Sequence, residues 1–319
     1  MAETPHARKK KSPMTIQGYD LVGDIHGHAD ALHRLLHELE YELFEGVLRH
    51  PERQMIFVGD FIDRGPQQRE VLRIARSMCE AGAAKAVLGN HEFNAIGWVT
   101  QNNDGAFLRN HSPKNANQHA KFLSQIGENS EAHKDAVDWF RTLPIWLDLP
   151  GLRVVHACWH DSSREALAPF LDDAGCLTEE GVLESYRHGS VAHSAVEILL
   201  KGPEERLPAG IHFFDKDGHR REEVRLRWWD QSATTFREAA LGMEGRENEI
   251  PDSSLPKDYR YHESKPVFFG HYWLMDEPGI TAPNAAGLDF SVAKEGYLTA
   301  YRWSGELNLT KNSLVAVPA

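Results

Sequence analysis

Short apolar runs recur along the first ninety residues, and each ends at a glycine. Tyr19-Asp20-Leu21-Val22 leads to Gly23, Met55-Ile56-Phe57-Val58 to Gly59, and Ala86-Val87-Leu88 to Gly89. Between them the period changes. Leu32, Leu35, Leu36 and Leu39 recur at helical spacing within 29–43, and a second helical stretch is predicted over about 67–81. Strands alternating with helices in this way predict a β-α-β-α-β unit, with a largely parallel sheet and helices packed over it. In open α/β sheets ligands gather beyond the carboxyl ends of the strands. The glycine-bounded polar segments of this chain fall at those ends.

The pattern then loosens. Residues 98–143 are polar and rich in Asn, Gln and His, with one helix expected over 131–141, and they read as an insertion over the strand ends. Trp146-Leu147-Asp148-Leu149 and Leu152-Arg153-Val154-Val155 flank Pro150-Gly151 as a hairpin would. A second variable stretch, 162–208, has the Glu, Ala and Leu content of helices. Residues 213–219 read as a turn between strands, and 224–229 alternate as a strand. After a loop over 244–261, strands are expected at 267–269, 287–292, 298–303 and 307–309. There are no repeats and no linker. The expectation is one domain over 14–319 with insertions at about 98–143 and 162–208, preceded by a disordered basic tail over 1–13 that contains the run Arg8 to Lys11.

Composition narrows the function classes. A chain of 319 residues can bury a full core, and 41% hydrophobic with 26% charged residues is ordinary for a soluble protein. A formal charge of -12 argues against a general nucleic-acid binder, because phosphate backbones are held by clustered Lys and Arg. It does not exclude a phosphorylated substrate, since bound cations reverse the local potential. Cys79, Cys158 and Cys176 form neither an even framework nor a C-x-x-C pair, so reduced thiols in a cytoplasmic protein are expected. No apolar run approaches the roughly 20 residues that span a bilayer. The basic start has no apolar segment behind it, so no secretory signal is expected.

Five short segments carry the chemistry: G-D-I-H-G at 23–27, G-D-F-I-D-R-G at 59–65, G-N-H-E at 89–92, V-H-A at 155–157, and Gly270-His271. Together they supply two Asp, one Asn and three His able to bind metal, plus a third Asp, a fourth His and an Arg with no ligand duty. That is the inventory for two metal ions sharing one carboxylate, with an acid and a phosphate clamp alongside. Taken singly, Asp24 reads as a helix cap, His156 as a satisfied core histidine and Asp63-Arg64 as a surface ion pair. Those readings are independent of one another, whereas the two-metal reading accounts for all of them at once.

In order and content the five segments resemble the calcineurin-like metallophosphoesterases. Within that family they look like the serine/threonine protein phosphatase branch and the bacterial dinucleoside tetraphosphatases. The resemblance runs from about Tyr19 to His271 and leaves the two insertions uncovered. It implies an α/β/β/α sandwich with mixed sheets and helical insertions over the active site. By the same resemblance Asp24 and His26 would bind one metal, Asp60 would bridge both, and Asn90, His156 and His271 would complete the second. Mixed carboxylate and imidazole donors point to manganese, with iron or zinc as the alternatives.

The resemblance further implies that a metal-bridging hydroxide attacks phosphorus directly while His91 protonates the leaving oxygen. Asp63 would hold and charge that imidazole. Arg64 would clamp phosphate oxygens in a planar fork, with Asn90 and His91 also facing the substrate. The substrate would be a phosphate monoester, either phosphoserine or phosphothreonine in a protein or a small molecule; the alternative is a dinucleoside polyphosphate. A non-catalytic metal-binding scaffold is a third class, and the presence of His91 and Asp63 argues against it. Ala157-Cys158 stand where the family commonly has glycines, so Cys158 is expected to be inert and His160 to lie off the metals. Glu92 reads as a supporting carboxylate, and His33 and His37 as a solvated helix face. A second phosphate-binding arginine could be Arg237, Arg227 or neither.

Overall fold

A computed structural model describes residues 16–214, 220–243, 245–275 and 277–319. The expected basic tail and most of the 213–219 turn lie outside these residues. Two sheets carry the core. The larger runs in the order Asp289–Phe290, Tyr297–Trp303, Gly18–Val22, Arg53–Phe57, Ala84–Ala86, and Leu314–Pro318 also pairs with Tyr297–Trp303. Gly18–Val22, Arg53–Phe57 and Ala84–Ala86 are parallel, with Leu21 opposite Ile56 and Met55 opposite Ala84. The smaller sheet runs Ala285–Gly287, Val267–Phe269, Arg153–Val155, Trp146–Asp148.

Successive residues of a strand point to opposite faces, and here both faces are covered. Leu21, Ile56 and Val58 meet Val154, Phe268 and Leu288 in the layer between the sheets. Val22, Met55 and Phe57 face the other way, toward Leu32, Leu35 and Leu36 of the helix Ala29–Glu38 and Val71, Ile74 and Ala75 of Gln68–Glu80. Burial on both faces explains why these strands read as continuous apolar runs.

The sheet is mixed, as the resemblance implied, rather than largely parallel as the strand and helix alternation suggested, because Tyr297–Trp303 from the far end of the chain pairs antiparallel with Gly18–Val22. The helix predicted over 29–43 stops at Glu38. Glu40 takes a left-handed φ of 63°, and the chain turns into the hairpin Glu42–Phe44 with Val47–Arg49. The stretch 98–143 holds more helix than its sequence suggested. Asn90–Val99 runs into it, and Pro113–Ile126 precedes the expected Glu131–Phe140. Pro113–Ile126 starts with Ser112 accepting from the Asn115 amide and proline in its first turn, a favourable N-terminus. Its buried positions are only His119, Phe122 and Ile126, too narrow a stripe to stand out by periodicity.

Residues 162–208 contain Glu179–Tyr186 and Val191–Lys201, after Asp161–Leu167. Of 224–229 only the start is extended, in Glu223–Arg225. Trp228 turns inward, its indole N–H donating to Ala157 O at 3.0 Å. Residues 307–309 form no strand; the last one is Leu314–Pro318. No described helix is long and apolar enough to cross a membrane.

Candidate metal centre

Each predicted site residue follows a strand. Asp24 and His26 follow Gly18–Val22, Asp60, Asp63 and Arg64 follow Arg53–Phe57, and Asn90 opens the helix after Ala84–Ala86. His156 follows Arg153–Val155 and His271 follows Val267–Phe269. Both sheets thus deliver residues to one place. The loops are bent tightly: His26, Asp60, Asp63, Arg64 and His271 all have φ between 46° and 71°. Non-glycine residues reach this region rarely and with strain, which clusters at functional sites. Close approach also demands Gly270, where a Cβ would lie 1.9 Å from Asp24 Oδ1.

Buried Glu92 holds the middle loop in shape. Its carboxylate accepts from the amides of Asp60 at 2.8 Å, Phe61 at 2.9 Å and Ile62 at 3.3 Å. Gln68 does the same for the next turn, accepting from the Asp63 amide and donating to Asp63 O and Gly65 O. Glu92 therefore supports the loop, as its sequence position suggested.

Asp60 is the hub. Its Oδ2 lies 3.6 Å from His26 Nε2, 3.4 Å from His156 Nε2 and 3.9 Å from His91 Nε2, while its Oδ1 accepts from the His91 amide at 3.0 Å. Two clusters of potential ligand atoms form around it, His26-Asp60-His91 and Asp60-His156-His271. Asn90 Oδ1 joins the second, 3.0 Å from His156 Nε2 and 2.8 Å from His271 Nδ1. Asp24 Oδ2 accepts from the His271 amide, and its Oδ1 is buried without a partner.

The donor set fits divalent metal. His26 Nδ1 and His156 Nδ1 face the carbonyls of Ile62 and Val58 at 2.9 and 2.8 Å, so each of those nitrogens carries the proton. The Nε2 lone pairs are thereby turned toward Asp60, the usual way an outer carbonyl orients a ligand imidazole. His156 Nε2 then faces Asn90 Oδ1 and Asp60 Oδ2: burial would lower His156 but Asp60 raises it, so the position between these atoms suits a proton or a metal ion that replaces it. His26 Nε2 and His271 Nε2 are likewise buried without partners. Separations near 3 Å are those of neighbouring donors around one ion with bonds of about 2.0–2.2 Å.

The electrostatics agree. Burial, with Asp289 and Asp60 nearby, pushes the Asp24 carboxyl well up, and burial with Asp60 takes Glu92 to about 7. Such a crowd of buried carboxylates calls for positive charge. Burial alone would raise Asp60, but His156 and His91 outweigh it and hold it well below the usual carboxylate range. Burial and the neighbouring His91 push His26 down to about 3, keeping its lone pair free. His91 goes the other way: burial would lower it, but Asp60 and Asp63 together raise it.

Asp63 Oδ2 accepts from His91 Nδ1 at 2.5 Å, and its Oδ1 from His119 Nδ1 at 2.8 Å. His119 was not expected here. It comes from the polar insertion, 56 residues along the chain, and no local signal singled it out. Asp289 is a second unexpected neighbour, buried and accepting from the amides of Trp273 and Ser291. A lone aspartate inside the apolar run 287–292 was its sequence signal. The exposed Arg64 guanidinium rests 4.1 Å from the centroid of Trp273 and within electrostatic reach of Asp60 and Asp63.

Arg237 is committed elsewhere, bonding Ile250 O and pairing with Asp252, and Arg227 bonds Glu238 O. Cys158 is fully buried, its thiol pushed well up by burial, and His160 bonds Ser163. His33 pairs with Glu70 at the surface.

A strand-end cluster of this composition has the donors to hold divalent metal ions. The calcineurin-like phosphoesterase family matches over residues 20–234, and the chain belongs to it. Among curated relatives, the asymmetrical bis(5'-nucleosyl)-tetraphosphatase of Oceanobacillus iheyensis is 30% identical over 139 residues, 43% of this chain and 54% of that one. This match thus spans about half the length of that relative. The symmetrical bis(5'-nucleosyl)-tetraphosphatase of Vibrio cholerae serotype O1 is 24% identical over 306 residues, 93% of this chain and 98% of its own. A protein serine/threonine phosphatase structure from Saccharomyces cerevisiae aligns over 96% of this chain and 80% of its own, with 15% identity and a TM-score of 0.45.

Proposed function

We propose that the chain hydrolyses a phosphate ester at a centre of two divalent ions held by Asp24, His26, Asp60, Asn90, His156 and His271. The observation that carries this reading is Asp60, buried and common to two clusters of potential ligand atoms. Bound there, the ions supply charge that polarises phosphoryl oxygens and acidifies a water molecule. Manganese suits the mixed donors, with iron or zinc as alternatives.

The chain's own residues do the rest. Arg64 offers a planar fork to the non-bridging oxygens, which a lysine could not copy. His91 carries the proton for the leaving oxygen on Nε2, because Nδ1 is fixed on Asp63. The Asp63 carboxylate keeps that imidazole charged and correctly turned, and His119 keeps the carboxylate in place.

The substrate reading is a phosphate monoester, in a phosphoprotein or a small molecule. The second reading, the anhydride of a dinucleoside polyphosphate, is favoured by a relative of that named activity aligned over nearly the whole of both chains. Both use the same catalytic set. The test is turnover of p-nitrophenyl phosphate, a phosphopeptide and diadenosine tetraphosphate by protein loaded with manganese. Hydrolysis of at least one, abolished by chelator and restored by metal, is expected. Metal-loaded protein inert toward all three refutes the proposal.

A further inference from the structure

The guanidinium of Arg64, the candidate phosphate clamp, is supported by a ring rather than by a carboxylate. Among the described residues no hydrogen bond or ion pair is made by that group. It rests instead on Trp273, with Cζ 4.1 Å from the ring centroid. The manner of support matters chemically. A carboxylate that holds an arginine occupies the forked N–H donors a phosphate would need. An aromatic ring attracts the guanidinium through its π face and uses none of the five N–H donors.

Trp273 is itself fixed from behind. Its amide donates to Asp289 Oδ2 at 2.8 Å, while Asp289 Oδ1 accepts from the Ser291 amide at 3.0 Å. Leu274 closes the strap, its amide donating to Asp289 O at 2.9 Å and its carbonyl accepting from Ser291 Oγ at 3.2 Å. His271, Trp273 and Ser291 all take left-handed φ, at 71°, 51° and 59°. Non-glycine residues stay in that region only where surrounding bonds impose it. Here those bonds impose a place for one indole, two residues after the candidate ligand His271. Lys294, from the turn after Asp289–Phe290, lies 4.3 Å from the same centroid. Swinging the ring aside would break two cation contacts at once.

The plain alternative is a surface tryptophan that happens to lie near two cations, and exposed contacts of that kind are weak. Three observations argue against it. The buried Asp289 carboxylate is committed to this amide, the backbone is strained at Trp273 and at His271, and the supported group is the arginine of the second strand-end segment. Trp273 is only half-buried, so the ring adds little to the core.

We propose that Trp273 is a positioning residue for Arg64. Its ring holds the guanidinium near Asp60 with every N–H donor available, and Asp289 sets the ring through the Trp273 amide. The inference goes beyond the phosphoesterase reading and rests on it for one point, that Arg64 meets phosphate. The test is a cycle of four metal-loaded proteins: wild type, Trp273→Leu, Arg64→Ala and the double variant, with Trp273→Phe as the conservative control. Each is read by kcat/KM for p-nitrophenyl phosphate and, without turnover, by the calorimetric Kd of inorganic phosphate.

Trp273→Leu is expected to lower kcat/KM and weaken phosphate binding about fivefold, with Trp273→Phe within about twofold of wild type. Metal content by elemental analysis should not change. In the Arg64→Ala background Trp273→Leu should have no further effect, because the group it positions is gone. An equal loss in that background overturns the positioning role. So does a Phe variant no better than Leu, an unaffected Leu variant, or a loss of metal that traces the effect to His271. Wild type that binds phosphate yet hydrolyses no ester sinks the parent reading, while the binding cycle still decides this one. Wild type that binds no phosphate overturns both.

Discussion

His119→Ala isolates a contact that only the fold creates. The Asp63 carboxylate is 3% exposed and has two side-chain donors, His91 Nδ1 and His119 Nδ1 at 2.5 and 2.8 Å. A carboxylate only accepts, so both nitrogens carry the proton. Removing one charged hydrogen bond from a buried carboxylate costs about 1.5–3 kcal/mol. Part of that appears as lost stability and part as looser placement of Asp63, and through it of His91. If about 1.4 kcal/mol reaches the transition state, kcat for an alkyl phosphate falls about tenfold. With p-nitrophenyl phosphate the leaving group departs unprotonated, so the fall should be under about threefold.

The pH profile separates positioning from general damage. His119 draws on the negative charge of Asp63, and without it that charge bears on His91 alone. A nearby negative charge raises a histidine's pKa, so the alkaline limb of kcat should move to higher pH. His119→Asn, whose amide N–H can occupy the place of Nδ1–H, should recover most of the rate. Metal content, read by elemental analysis, should match wild type in both variants. Equal losses on the alkyl and nitrophenyl esters, or an alkaline limb that does not move, would refute the positioning role.

Asp60→Asn weakens the carboxylate common to both clusters, so elemental analysis should find less than one ion per chain and activity should fall by at least about 10³; two retained ions would contradict a bridging role. His91→Ala should lower alkyl-ester turnover by roughly 10²–10⁴ at unchanged metal content, and a uniform effect across leaving groups would argue against a proton donor. Glu92→Ala strips an acceptor from three amides, costing roughly 3 kcal/mol or more and lowering the calorimetric Tm by several degrees, while Glu92→Gln keeps the oxygen shared by Phe61 and Ile62 and should cost about 1 kcal/mol. Chelation should destabilise the fold as well as silence it, because buried Asp24, Asp60 and Asp289 then face one another without a cation; a Tm insensitive to chelator would refute the metal assignment.

Some of this protein is written locally. The runs ending at Gly23, Gly59 and Gly89 specify strands by composition, and the polar residues after them inherit a place at strand ends, where both sheets converge. Asp24, His26, Asp60, Asn90 and His271 could be singled out because each sits in a short contiguous signature beside a glycine, and His156 because it directly follows an apolar strand. The rest depends on surfaces far apart in the chain. No pattern within Gly18–Val22 says that Tyr297–Trp303 will pair with it and make the sheet mixed. Nothing around His119 announces that Pro113–Ile126 will lean on Gln68–Glu80 and point an imidazole at Asp63. The cavity lined by Arg206, Arg220, Arg225 and Tyr272 likewise arises only when segments distant in the chain meet. Periodicity reports which face of an element is apolar, because that is set by 3.6 or 2 residues per repeat. It cannot report which distant element will cover that face, since that choice belongs to packing and charge between segments that are neighbours only in the folded chain.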